Sequence, residues 1–163
     1  MKISIGADHT GFELKKELKT YLAGLGLGYE VLDKGPFAYD ADDDYPDFIR
    51  GVAEAVAKDD TSFGVILGGS GQGEAMCANR VAGARAAVFY SEALPQAPID
   101  IKGEKSEDPY EIIKLARVHN NANILSLSIR FLSFDQIKFA IELFIKTPFT
   151  GEERHARRIK KLG

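Results

Sequence analysis

Short runs rich in apolar residues alternate along the chain with stretches where apolar residues return every three or four positions. These are the signatures of buried strands and of amphipathic helices. Residues 2–6 read as a first strand. A helix is expected from Thr10, with Phe12, Leu14, Leu18, Tyr21, Leu22 and Leu25 on its apolar positions, until Gly24, Gly26 and Gly28 stop it. A second strand is expected at 29–33. Beyond the acidic loop 34–44, Pro46 opens a helix carrying Phe48, Ile49, Val52, Ala55 and Val56. Proline suits a first helical turn, where its missing N–H costs nothing. Residues 63–67 are apolar throughout, as a parallel strand covered on both faces must be. They lead into Gly68-Gly69-Ser70-Gly71-Gln72-Gly73, and a helix is expected at 74–79. Further strands are expected at 85–90 and 123–127, with helices at about 107–118 and at 134–145. The chain closes on a basic segment, 150–163, expected to be helical.

Strands alternating with helices require parallel pairing through right-handed crossovers. The expected class is α/β: a three-layer α/β/α sandwich, Rossmann-like (flavodoxin-like), with a five-stranded parallel sheet and a C-terminal helix. A length of 163 residues suits one domain over 1–163. Pro95, Pro98, Gly103 and Pro109 punctuate the least regular stretch. A loop of that length without structure is uncommon in a compact domain, so 94–107 reads as an insertion.

Composition narrows the function. With 45% hydrophobic and 28% charged residues, the chain can build a core and is neither disordered nor collagen-like. No apolar run approaches a bilayer span and the first residues lack a secretory pattern, so no membrane partner is expected. A net charge of -3 gives no reason to expect nucleic acid. The single cysteine, Cys77, permits no intrachain disulfide and suits a reducing cytoplasm. His9, His119 and His155 are scattered without ligand spacing, so no metal is expected, and no cofactor.

In open parallel sheets, ligands sit at the carboxyl ends of the strands. That rule selects Asp8 and His9, the glycine loop, and Arg130. Four glycines in six residues between a strand and a helix expose backbone N–H groups to an anion. The anion is not a nucleotide phosphate by pattern: Glu74 stands where a phosphate-binding loop needs lysine, and the dinucleotide spacing fails both here and at residues 6–11. A carboxylate in the first turn of a helix is favoured as the anion, while burial would push its pKa up. Beside an oxyanion-binding loop it could remove a proton alpha to a carbonyl and let the loop hold the enediolate. Equally, Glu74 could be a favourable helix-start residue. His119 with Asn120 and Asn121 could be a helix cap, Asp40 to Asp44 a solvated loop, and Cys77 packing. Arg154, Arg157 and Arg158 are a solvated face by default, although a spacing of four puts Arg154 and Arg158 on one side, as a phosphate clamp needs.

Taken together, residues 6–11 (Gly-Ala-Asp-His-Thr-Gly), 40–46 (Asp-Ala-Asp-Asp-Asp-Tyr-Pro), 67–74, Ala78-Asn79, Gly83-Ala-Arg85, 119–122 and 154–158 (Arg-His-Ala-Arg-Arg) resemble the ribose-5-phosphate isomerase B family. That family also includes galactose-6-phosphate isomerase subunits. The resemblance implies metal-independent interconversion of ribose 5-phosphate and ribulose 5-phosphate through a cis-enediolate, in carbohydrate metabolism. It also implies a homodimer, or a tetramer, with shared active sites. One branch of the family has a cysteine base just before the glycine loop, where this chain has Gly68. The other uses the glutamate closing the loop, here Glu74. By resemblance Glu74 is the base and His119 the acid that opens the sugar ring, reaching in with Asn120 from a partner. Ser70 and the N–H groups of Gly69, Gly71, Gln72 and Gly73 hold the enediolate. Asp8 binds hydroxyls, His9, Arg154, Arg158 and Arg130 lie near the phosphate, and Tyr45 lines the pocket. Leu127-Ser128-Ile129 replaces the small residues usual before that last arginine. The insertion keeps open a six-carbon sugar phosphate, such as allose or galactose 6-phosphate. A non-catalytic anion-binding module of flavodoxin type is the reading from another class.

Overall fold

The carboxyl ends of β1 and β3, side by side at the centre of one parallel sheet, position everything that follows. A computed structural model describes residues 1–162. The strands are β1 (Lys2–Ala7), β2 (Glu30–Asp33), β3 (Phe63–Gly68), β4 (Ala86–Phe89) and β5 (Ile124–Ser128). The helices are α1 (Phe12–Gly24), α2 (Pro46–Ala57), α3 (Gln72–Ala78), α4 (Glu111–Asn120), α5 (Phe134–Lys146) and α6 (Glu153–Ile159), with a 3-10 turn at His9–Gly11. Every strand pair is parallel and the order is β2-β1-β3-β5-β4. The chain leaves β1 in one direction for β2 and in the other for β3, so the switch in strand order lies between β1 and β3.

Alternation within the strands divides the core. Ile3, Ile5, Val65, Leu67, Leu125 and Leu127 face α1, α4 and α5, where they meet Leu18, Leu22, Ile113, Ile137, Ile141 and Phe144. Ile66 and Ile124 face the opposite layer, against Ile49, Val52, Val56 and Ala78 of α2 and α3. The sandwich thus has three layers, as the alternation of strands and helices requires. Gly6 and Gly64 lie on the α2 side because Val52 is pressed against them; a Cβ there would sit 2.8 and 3.0 Å from its methyl groups.

Two helices differ most from the expected positions, the others by a residue or two. α4 starts at Glu111 rather than 107, because Ser106 and Asp108 bind nearby backbone N–H groups and make turns instead. Of the expected 150–163, Gly163 lies outside the described residues; within the rest α6 is confined to Glu153–Ile159, since Gly151 at φ +69° cannot belong to a helix. Under the acidic loop, the buried Lys15 ammonium donates to Asp33 (2.6 Å) and to the Pro36 carbonyl (2.7 Å), while Lys19 takes the other Asp33 oxygen (2.6 Å). No helix among the described residues is long and apolar enough to cross a membrane.

Candidate active site

β1 ends at Ala7, and Asp8 turns in at once to cap the 3-10 turn, its Oδ1 accepting the Gly11 N–H at 3.0 Å. Its other oxygen accepts a long bond, 3.4 Å, from the Gly69 N–H across the switch point. Asp8 is buried. The next residue, His9, is half-buried, and its Nδ1 lies 2.8 Å from Asp43 Oδ1. A carboxylate can only accept, so Nδ1 carries the proton and Nε2 is left for another partner.

β3 delivers the glycine loop. Gly71 adopts the left-handed conformation (φ 72°) that lets the chain turn from strand into α3. Two buried hydroxyls of β5 brace the loop from below: Ser126 donates to the Gly71 carbonyl at 2.6 Å and Ser128 to the Gly69 carbonyl at 2.9 Å. Ser70 is exposed and accepts the Gln72 N–H at 3.3 Å. Of the loop amides expected to face a ligand, those of Gly69 and Gln72 therefore hold long bonds within the protein. The Arg130 guanidinium lies over Gly69 and the Tyr45 hydroxyl over Gly73.

Glu74, in the first turn of α3, is 4% exposed. Its carboxyl group rests on Gly68, in the volume that any side chain at position 68 would occupy. Burial pushes its pKa up, its own N–H pulls it down, and the neighbouring Asp8 and Asp43 charges raise it further. The net displacement is upward, which makes Glu74 a stronger base once ionised. Burial overrides the helix-start effect that the sequence pattern suggests.

His119, Asn120, Arg154 and Arg158 are elsewhere. α4 runs antiparallel to the strands, so its carboxyl end lies near the amino end of β5. In the β3–β5 register, Ile124 pairs with Gly64 while Ser128 pairs with Gly68. Four residues of strand separate those levels, about 13 Å, and Glu74 lies at the upper one. On the lower side, His119 stacks on buried His155 with ring centres 4.4 Å apart. His119, Arg154 and Arg158 face segment 98–101 across a hollow of about 210 Å³. Arg154 donates to Glu152 at 2.8 Å. Asn120 is exposed, while Asn121, at φ 44°, caps α4. One chain therefore brings together Asp8, His9, Tyr45, residues 69–73, Glu74 and Arg130, and leaves His119, Asn120, Arg154 and Arg158 at the opposite edge.

Two features of the site are absent from the expectations above. Asp43, expected in a solvated loop with Asp40, Asp42 and Asp44, has a side chain only 3% exposed, although the other three are exposed. Ser126 and Ser128 were open to detection: alternating Leu-Ser-Leu-Ser in a buried strand places two hydroxyls on one face, and buried hydroxyls need partners.

A buried carboxylate of raised basicity beside a glycine loop rich in N–H groups, at the switch point of a parallel sheet, is an arrangement suited to an α/β enzyme. The sequence model of the Ribose/Galactose Isomerase family matches residues 3–97 and 107–162, and the chain belongs to that family. It is 37% identical to ribose-5-phosphate isomerase B of Mycolicibacterium paratuberculosis, over 98% of this chain and 87% of that protein. It is 31% identical to the Escherichia coli protein of that name, over 99% and 93%. Among solved structures, ribose-5-phosphate isomerase B from Mycoplasma genitalium with bound ribulose-5-phosphate is similar, with a TM-score of 0.81 and 37% identity over 99% of this chain and 93% of that one.

Proposed function

We propose that this chain interconverts ribose 5-phosphate and ribulose 5-phosphate. The observation that carries the assignment is the Glu74 carboxylate, buried against Gly68 with its basicity raised and flanked by the glycine loop. In the aldose direction, Glu74 removes the proton from C2, and the electron pair moves through C1 to O1, giving a cis-enediolate. Loop N–H groups and the Ser70 hydroxyl stabilise the developing charge, the Gly69 and Gln72 amides exchanging their long internal bonds for it. Return of the proton to C1, with transfer of the hydroxyl proton from O2 to O1, leaves the ketose. Asp8 accepts from sugar hydroxyls, Tyr45 lines the pocket, and His9 and Arg130 lie toward the phosphate. Relatives that carry the name ribose-5-phosphate isomerase B, and a similar structure with ribulose-5-phosphate bound, support this substrate class.

The site is completed by a second copy of the chain. A ring-opening acid some 13 Å or more from the base, at the other edge of the sheet, cannot serve the same sugar. A homodimer brings one copy's His119, Asn120, Arg154 and Arg158 to the other copy's Glu74. Arg154 then exchanges its Glu152 partner for phosphate. The setting is cytoplasmic, in carbohydrate metabolism, and the whole chain acts as one isomerase domain. Segment 98–101 lines the hollow beside His119 and the arginines, which keeps a six-carbon sugar phosphate as the second substrate reading. Glu74→Gln is expected to abolish turnover of ribose 5-phosphate while the protein still binds it in calorimetry; retained turnover removes the assignment. Comparing kcat/KM for pentose and hexose phosphates decides the sugar.

A further inference from the structure

The acidic turn ahead of α2 holds a charge that the chemistry above leaves unused. Asp43 is the one aspartate of that turn buried by the fold, with its side chain 3% exposed. One carboxylate oxygen accepts the Nδ1 proton of His9 at 2.8 Å. The other, Oδ2, is buried without any hydrogen-bond partner among the described residues. A buried polar atom left unsatisfied costs about 1–3 kcal/mol, and such a cost at a functional site calls for an explanation. Loop geometry does not supply one, because the turn is already closed by the Asp43 N–H to the Asp40 carbonyl and by the Asp42 N–H to the Asp40 side chain.

We propose that Asp43 is a positioning residue for the isomerisation: it fixes the orientation of the His9 ring, so that Nε2 points to the substrate phosphate, and lends its charge to His9 and Glu74. This rests on the isomerase assignment above. Nothing carried by resemblance gives Asp43 a role.

The charges around both targets support it. Asp8, Asp43 and Arg130 face His9. The Asp43 hydrogen bond is the largest influence on the imidazole; burial opposes it, Asp8 adds to it and Arg130 opposes it, with the net displacement upward. Asp43 therefore favours an imidazolium whose Nε2–H donates to a phosphate oxygen. Asp8 and Asp43 face Glu74, which also influences the Cys77 thiol one turn on. A like charge near a carboxylate makes it hold its proton more firmly. For a group that must pull a proton from carbon, that is greater strength as a base.

The test is Asp43→Asn, which keeps an acceptor for His9 and removes the charge. The His9 ring is titrated by NMR in the full-length protein without substrate, and pH profiles of kcat and KM are measured for ribose 5-phosphate. The His9 midpoint is expected to fall by about one pH unit, the loss expected when a contacting opposite charge is neutralised. The acid limb of kcat should move to lower pH, with a lower plateau. The alkaline rise in KM should begin at lower pH. A merely structural Asp43 would change Tm and leave all three midpoints within about 0.2 pH units of the parent protein; that result overturns the proposal. Asp43→Ser, smaller and equally uncharged, is measured in parallel so that poor folding of one variant does not decide the matter. Should the parent protein fail to turn over ribose 5-phosphate, the isomerase assignment falls by itself, and the substrate-free His9 titration still tests Asp43.

Discussion

Replacing Gly68 by alanine adds one methyl group where the Glu74 carboxyl now rests. Gly68 ends β3 with no left-handed backbone torsion, so alanine is conformationally acceptable and the effect is one of space. The new Cβ would overlap the carboxyl carbon and both its oxygens. Restoring an ordinary separation of about 3.5–4 Å moves the carboxyl group by more than about 1 Å. A misplacement of about 1 Å in a reacting group can cost about 100-fold in rate, equivalent to about 2.7 kcal/mol of activation free energy. The expected result for Gly68→Ala is thus a kcat reduced about 100-fold with KM for ribose 5-phosphate little changed. Overpacking lowers stability by about 1–3 kcal/mol, read by urea unfolding. Gly64→Ala is the comparison, because its Cβ would press on Val52 and Ile124 in the core, at 3.0 and 2.9 Å, away from the carboxylate. It should lose stability alone. If Gly68→Ala turns over substrate within about threefold of the parent protein, Glu74 is not held by this packing and its part as the base is refuted.

Other expectations can be checked with purified protein. Mixing Glu74→Gln with His119→Ala, each inactive alone, should restore about a quarter of the parent activity, since random exchange makes half the dimers hybrids with one intact site; no recovery after verified exchange would place both residues in one site. Neutralising Arg154 and Arg158 together should raise KM for the phosphorylated sugar more than tenfold, about 1.4 kcal/mol or more, and an unchanged KM would move the phosphate elsewhere. Replacing 98–106 by a short turn should shift the pentose-to-hexose kcat/KM ratio by at least about threefold, or else the segment does not border the sugar. Lys15→Ala should cost about 3 kcal/mol in urea unfolding, the loss expected from breaking a buried ion pair. Burial pushes the Asp33 carboxyl up, but Lys15, Lys19 and the Gly35 N–H more than offset it and hold it low. Its contribution to stability is therefore present above the ordinary aspartate value of about 3.9 and is lost as pH falls through the lowered one.

Much of this is legible in the sequence. Short apolar runs and helical periodicity locate all five strands and the long helices, because burial leaves its mark on residue type. The glycine loop and Glu74 are adjacent in sequence, so local pattern suffices to bring them together. Asp43 was not legible, since four aspartates within five residues look alike and only packing against His9 singles one out. The seat of Glu74 on Gly68 was equally hidden, for it depends on how sharply Gly71 turns the chain. The start of α4 differs from the expected one because side-chain bonds from Ser106 and Asp108 compete with the helix, a contest that periodicity does not register.

The placement of His119 on the edge of the sheet opposite Glu74 has a consequence for working with this protein. Where each catalytic assembly borrows groups from a neighbour, specific activity depends on total concentration. At dilutions below the dissociation constant of the pair, rate should fall with the square of the amount added. Assays run at such dilution would then report the strength of association between chains rather than the chemistry itself.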